Sequence, residues 1–162
     1  TSETGTSRVQ QIASRDESNR RDVQAVITTL VSILLSAPPM TPIEDAIWCV
    51  ESNRCESNCP SGDNAKARGA LQIHRICFDT VKREGETYGM VDSLEFSLEI
   101  FRRTMKRFVT KKRLKRKPTL EDMAKCWNGG GSWFRGSKKK QANLDRYWSK
   151  VKAVLKKKGT TK

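Results

Sequence analysis

Thr41-Pro42-Ile43-Glu44-Asp45-Ala46-Ile47-Trp48-Cys49-Val50-Glu51-Ser52-Asn53 is the stretch on which the fold turns. Thr41 suits a helix cap, Pro42 the first helical position, and Glu44 completes a capping box. Ile43, Ile47 and Val50 recur at three- and four-residue steps, so the helix has one apolar face to bury. It should end near Glu51-Ser52-Asn53, where the run turns polar. Glu51 therefore closes an apolar helix. A carboxyl set among apolar neighbours is desolvated, and its pKa should rise. A carboxylic acid that keeps its proton near neutral pH can act as general acid on a leaving oxygen.

Downstream, residues 52–69 are rich in Asn, Ser, Gly and Cys and read as loops or short strands, with a small β element expected within 54–75. Asp63 falls there, in a polar turn that should keep it ionised. Two carboxylates in contrasting surroundings match the needs of glycoside cleavage: an acid on one side, a nucleophile or charge stabiliser on the other. Spacing alone makes this a weak signal, since many helices end in Glu and many turns contain Asp. Gln72 can equally serve backbone groups beside the loop, and Asn128 before Gly129-Gly130-Gly131 can equally be part of a helix C-cap.

Further on, Asp92-Ser93-Leu94-Glu95 carries a second capping-box signal. It opens a helix bearing Leu94, Leu98, Phe101, Met105 and Phe108. A helix from Thr119 carries Met123, Cys126 and Trp127 and stops at the glycine triplet. A last helix carries Leu144, Tyr147, Trp148, Val151 and Leu155. Upstream, Val23, Val26, Ile27, Leu30, Val31, Leu34 and Leu35 predict an amphipathic helix ending before Pro38-Pro39. The stretch resembles the apolar core of a signal peptide, but the two prolines suit cleavage poorly, and a packed helix is the preferred reading. The class is mainly α, with an extension over 1–40, a domain over 41–156 and a basic tail over 157–162.

The chain has 162 residues and a formal charge of +14, enough for one domain with a core and an anionic partner. The charge is concentrated in Arg102, Arg103, Lys106, Arg107, Lys111, Lys112, Arg113, Lys115, Arg116 and Lys117, with no acidic residue among them. A solvated surface gives the same composition. Nucleic acid fits less well, because only Phe108 interleaves the run and no groove-reading motif is present. No stretch reaches the roughly 20 apolar residues of a membrane span. Five cysteines leave at least one thiol unpaired within a monomer. The spacing of Cys49, Cys55 and Cys59 fits no common zinc pattern, and His74 is a poor fourth ligand, so no metal site and no cofactor is expected.

The order of several short words over residues 42–152 resembles the invertebrate-type lysozymes, the destabilase family of the wider lysozyme superfamily. The words are Val50-Glu51-Ser52, Cys55 and Cys59, Asp63, Gly69-Ala70-Leu71-Gln72-Ile73, Met105-Lys106-Arg107-Phe108, Asn128-Gly129-Gly130 and Tyr147-Trp148-Ser149-Lys150-Val151. Each is weak alone; their joint order is fairly specific. Bacterial lytic transglycosylases share the Glu-Ser, Gly-x-x-Gln-Ile and Asn-x-Gly elements. The resemblance implies a lysozyme-like α+β fold, Glu51 as general acid and Asp63 as second carboxylate. It places Gln72 and Asn128 in the cleft, and lets Trp127 or Trp133 stack on a sugar face. Nearer a transglycosylase, Glu51 would work without Asp63. A lysozyme is itself the type case of the two-carboxylate rule, so chemistry and resemblance are not independent supports. Some family members are credited with isopeptidase activity, for which no residue is assigned.

The chain departs from that family in three ways. Most of its disulfide cysteines are missing, Asn53 replaces the usual Gly, and both the basic run and residues 1–40 lack counterparts. Family members are secreted or lysosomal, whereas few cysteines and a retained amino-terminal helix suggest a reducing, intracellular compartment. Two functions follow. One is a muramidase-type glycosidase concentrated on anionic cell-wall polysaccharide by its charge. The other is a catalytically silent lysozyme-fold protein docking on an acidic assembly, since fold does not imply function.

Overall fold

The computed structural model describes residues 38–56, 59–62, 64 and 66–159. The expected helix over 23–35 and the second carboxylate, Asp63, lie outside these residues.

The described chain is mostly helical, with one small antiparallel sheet. Helix α1 spans Pro42–Ser52 and starts as the sequence dictates: Pro42 opens it, and the Thr41 amide donates to Glu44 Oε2 at 2.7 Å. It stops because Asn53 turns left-handed, at φ 52°. Strands β1 (Ala67–Arg68) and β2 (Ile73–His74) pair in the expected β region. Helix α2 (Arg75–Val81) and a 3-10 turn (Tyr88–Asp92) follow, neither announced by the sequence pattern. Helix α3 covers Leu94–Phe108; its cap is Ser93, whose Oγ accepts from the Phe96 amide at 3.2 Å. The capping signal at Asp92–Glu95 was thus one residue out of register. A single turn, α4 (Lys111–Leu114), leads to α5 (Leu120–Gly129) and the long α6 (Lys138–Lys157).

One core joins these elements. Ile43, Ala46, Ile47 and Trp48 of α1 are buried, with Leu98, Ile100, Phe101 and Met105 of α3, Ala124 and Cys126 of α5, and Leu144, Tyr147, Val151 and Leu155 of α6. Helix α6 packs along both α1 and α5, and α3 packs on α5. The apolar residues picked out by period 3.6 are the ones that meet. Val50 is only partly buried at the edge of that core.

Two buried charges tie the helices together. Glu44, 3% exposed, sits in an ion pair with Arg102 of α3 at 2.7 Å. Asp122, 1% exposed, caps Thr119 and pairs with Arg116 at 2.5 Å. Arg103 bridges Glu86 and Glu99. The run from Arg102 to Lys117 is therefore not one uniform partner-binding face. Arg102, Arg103 and Arg116 hold the fold together, and Arg113 donates to the Gly131 carbonyl at 2.9 Å. Lys106, Arg107, Lys111, Lys112, Lys115 and Lys117 remain exposed. Among the described residues no helix is long and apolar enough to cross a membrane.

Candidate active site

Glu51 occupies the last turn of α1, where the apolar face of the helix meets open space. Its side chain lines a cleft of about 620 Å³. The walls also carry Gln72, His74, Thr104, Phe108, Trp127 and Asn128. A cavity of this size accommodates a small ligand or part of a polymer chain. From the stretch 102–117 Thr104 and Phe108 line it, and none of the basic side chains does, so the run does not plug the cleft.

Burial pushes the Glu51 carboxyl from its ordinary range up to about 7. Two opposing influences are smaller: a hydrogen bond from Tyr147 and the charge of Lys150, both of which favour the ionised form. The Tyr147 hydroxyl donates to Glu51 Oε1 at 2.6 Å. Burial pushes the Tyr147 phenol well above its usual value, and the neighbouring Glu51 carboxylate adds to this, so Tyr147 stays a donor. Glu51 Oε2 has no hydrogen-bond partner among the described residues. The site thus holds a carboxyl with one oxygen anchored and one free, balanced between protonated and ionised forms near neutral pH.

The loop beside Glu51 is fixed from several directions. Trp48 Nε1 donates to the Cys55 carbonyl at 2.8 Å, and Ser52 Oγ donates to the Ala70 carbonyl at 2.7 Å. Cys55 and Cys59 form a disulfide. The turn joining β1 and β2 is Gly69-Ala70-Leu71-Gln72. At Gly69, φ is +74° and a Cβ would overlap the Val91 carbonyl oxygen, so only glycine fits. Gln72 is also left-handed, at φ 50°. Its Nε2 donates to the carbonyls of Pro60 and Gly69, at 2.9 and 3.0 Å. Its Oε1 presses on Gly62, where a Cβ would collide with it. Gln72 lines the cleft as expected, but its amide nitrogen is engaged with the loop backbone, so its first role is to staple the turn.

Trp127 and Asn128 both reach the cleft, and Asn128 is exposed there. Trp127 is half-buried and packs edge-on against Phe101, with ring centroids 5.1 Å apart. Trp133 does not line the cleft. It opens the 3-10 turn Trp133–Arg135, and its side chain is buried at 7% exposure, edge-on to Phe134, so the ring presents no open face to a sugar here. The cleft thiols are poor nucleophiles: burial raises Cys77, and burial pushes Cys126 up to about 12. Among the described residues no group of three or more His, Cys, Asp or Glu side chains is placed to hold a metal.

Sequence reasoning missed the direct bond between Tyr147 and Glu51. The Tyr147 face was legible as apolar, because Leu144, Val151 and Leu155 share it, and that periodicity makes a tyrosine look like core. His74, Thr104 and Phe108 were also not anticipated as cleft residues. No known protein family matches the chain, and no curated protein matches it either.

Proposed function

We propose that this chain is a lysozyme-like glycoside hydrolase that cleaves β-1,4 bonds of peptidoglycan, with Glu51 as general acid. The observation that carries the reading is the Glu51 carboxyl, held near a pKa of about 7 on the wall of a cleft large enough for sugar residues. A carboxylic acid with a pKa close to working pH balances possession of a proton against readiness to give it up.

In this mechanism Oε2 of Glu51 protonates the glycosidic oxygen as the bond to the anomeric carbon breaks. Tyr147 is a positioning residue: it fixes Oε1 and thereby aims Oε2. Asn128 is exposed on the cleft wall and free to hydrogen-bond a sugar, and Trp127 lines the same cleft with an aromatic side chain. Asp63, the second carboxylate implied by resemblance to the invertebrate-type lysozymes, would stabilise or capture the oxocarbenium-like centre.

A second reading, a catalytically silent protein docking on an acidic assembly, draws support from Lys106, Arg107, Lys111, Lys112, Lys115 and Lys117. These are exposed and form no ion pair among the described residues. Clearing of a peptidoglycan suspension separates the two. Lysis by the wild type that disappears in Glu51→Gln supports the glycosidase. No lysis by the well-folded wild type supports the docking protein.

A further inference from the structure

Beside the cleft lies a second, smaller cavity of about 240 Å³, lined by Arg113, Ser132, Phe134 and Arg135. We propose that this pocket binds an oxyanion, a carboxylate or phosphate carried by the glycan that enters the cleft. The glycan part of the proposal rests on the glycosidase reading; the anion pocket does not.

Three observations carry it. First, both guanidinium groups share one aromatic ring, Arg135 at 5.3 Å and Arg113 at 6.0 Å from the Phe134 centroid. Both residues line the one pocket, and two positive charges bordering it favour an anion there. Second, neither forms an ion pair with a carboxylate among the described residues, unlike Arg102, Arg103 and Arg116. Third, Arg113 is held in place before any ligand arrives. It donates to the Gly131 carbonyl at 2.9 Å and lies 5.2 Å over the Phe108 ring. A guanidinium fixed this way loses little freedom on binding, and its remaining N–H groups form a fork suited to a carboxylate or phosphate. Ser132 lines the same pocket and carries a hydroxyl, a neutral donor.

Continuity with the cleft comes from the same contacts. Gly131 and Phe108 line the large cleft, and both hold Arg113. A polymer lying in the cleft would therefore pass the pocket. The wall polymer offers two sources of the chemistry: the lactyl carboxylate of N-acetylmuramic acid, and the phosphodiester of an attached anionic polymer.

Calorimetry on the full-length Glu51→Gln protein at low salt tests this, using two β-1,4 tetramers of equal length. One is neutral, built of N-acetylglucosamine alone; the other alternates N-acetylglucosamine with N-acetylmuramic acid. The carboxylated tetramer should bind about ten-fold more tightly. Adding Arg135→Gln should abolish that preference and leave the neutral tetramer unaffected, whereas Lys112→Gln, outside the pocket, should change neither. Phosphorus NMR with inorganic phosphate forms the second arm. Arg135-dependent phosphate binding without a preference for the carboxylated tetramer supports the pocket and assigns the source to phosphate. Equal affinity for both tetramers, with no Arg135-dependent response to phosphate, overturns the proposal. Binding of neither tetramer alongside Arg135-dependent phosphate binding overturns the glycosidase reading and the glycan source, while the anion pocket stands.

Discussion

The Tyr147 hydroxyl donates a 2.6 Å hydrogen bond to Glu51 Oε1, joining the middle of α6 to the last turn of α1 across 96 residues of sequence. It is the contact through which helix packing reaches the proposed chemistry. The bond favours the ionised carboxyl and works against burial, the larger influence. Tyr147→Phe removes the bond and keeps the ring, so the Glu51 pKa should rise further. The alkaline limb of the pH–rate profile, set by loss of the Glu51 proton, should move to higher pH. A merely structural tyrosine would lower the rate and leave the limb in place.

Glu51 also links stability to pH. Its folded pKa, about 7, lies above the ordinary 4.5, so the folded state binds more protons than the unfolded one between those values. Stability must fall as pH rises through that window. Glu51→Gln has no such proton to lose. Denaturant titrations should show the variant more stable than wild type at pH 8, by up to roughly 3 kcal/mol, with the gap closing toward pH 4. A gap independent of pH would place Glu51 in a solvated position.

The Glu44–Arg102 pair has the opposite sign. Burial pushes the Glu44 carboxyl up, but bonds from Arg102 and Thr41 outweigh it and hold the pKa below 4.5. Its contribution is present above the ordinary carboxylate range and is lost as pH falls through the depressed pKa. Glu44→Ala removes the ion pair and the Thr41 bond together. It should cost about 3 kcal/mol at pH 7 by urea titration and much less near pH 3.

The disulfide makes a counting prediction. Cys55 and Cys59 are joined, while Cys49, Cys77 and Cys126 are free. Thiol titration of the unreduced, denatured protein should give three groups, and five after reduction. The short loop closed by the bond is worth about 2 kcal/mol in the chain-entropy account. Five groups without reductant would contradict the pairing.

Most of the fold was legible because burial follows period. Ile43 and Ile47 of α1, Leu98, Phe101 and Met105 of α3, and Leu144, Val151 and Leu155 of α6 sit inside as their spacing requires. Helix α2 was not legible: only Phe78 of its seven residues is buried, while Ile76 is 79% exposed, so it has no apolar stripe to read. Glu51 was found because a charge ending an apolar helix violates the pattern. The fate of the basic run was hidden. The acidic partners of Arg102 and Arg103 lie on other elements, at Glu44 and Glu86, and sequence neighbourhood does not reveal them. Trp133, which the resemblance offered as a stacking residue, is buried and lies off the cleft wall, and its burial depends on packing that its sequence neighbours do not reveal.

The most direct test of Glu51 as the acid of a glycosidase is mass spectrometry of the soluble fragments released from purified peptidoglycan at pH 6. The wild type should release muropeptides with a hydrolysed reducing end, and Glu51→Gln should release them about 10²- to 10⁴-fold more slowly. Release of anhydro-ended fragments would contradict hydrolysis assisted by a second carboxylate. No release by the folded wild type, or equal release by both proteins, would contradict the central role given to Glu51.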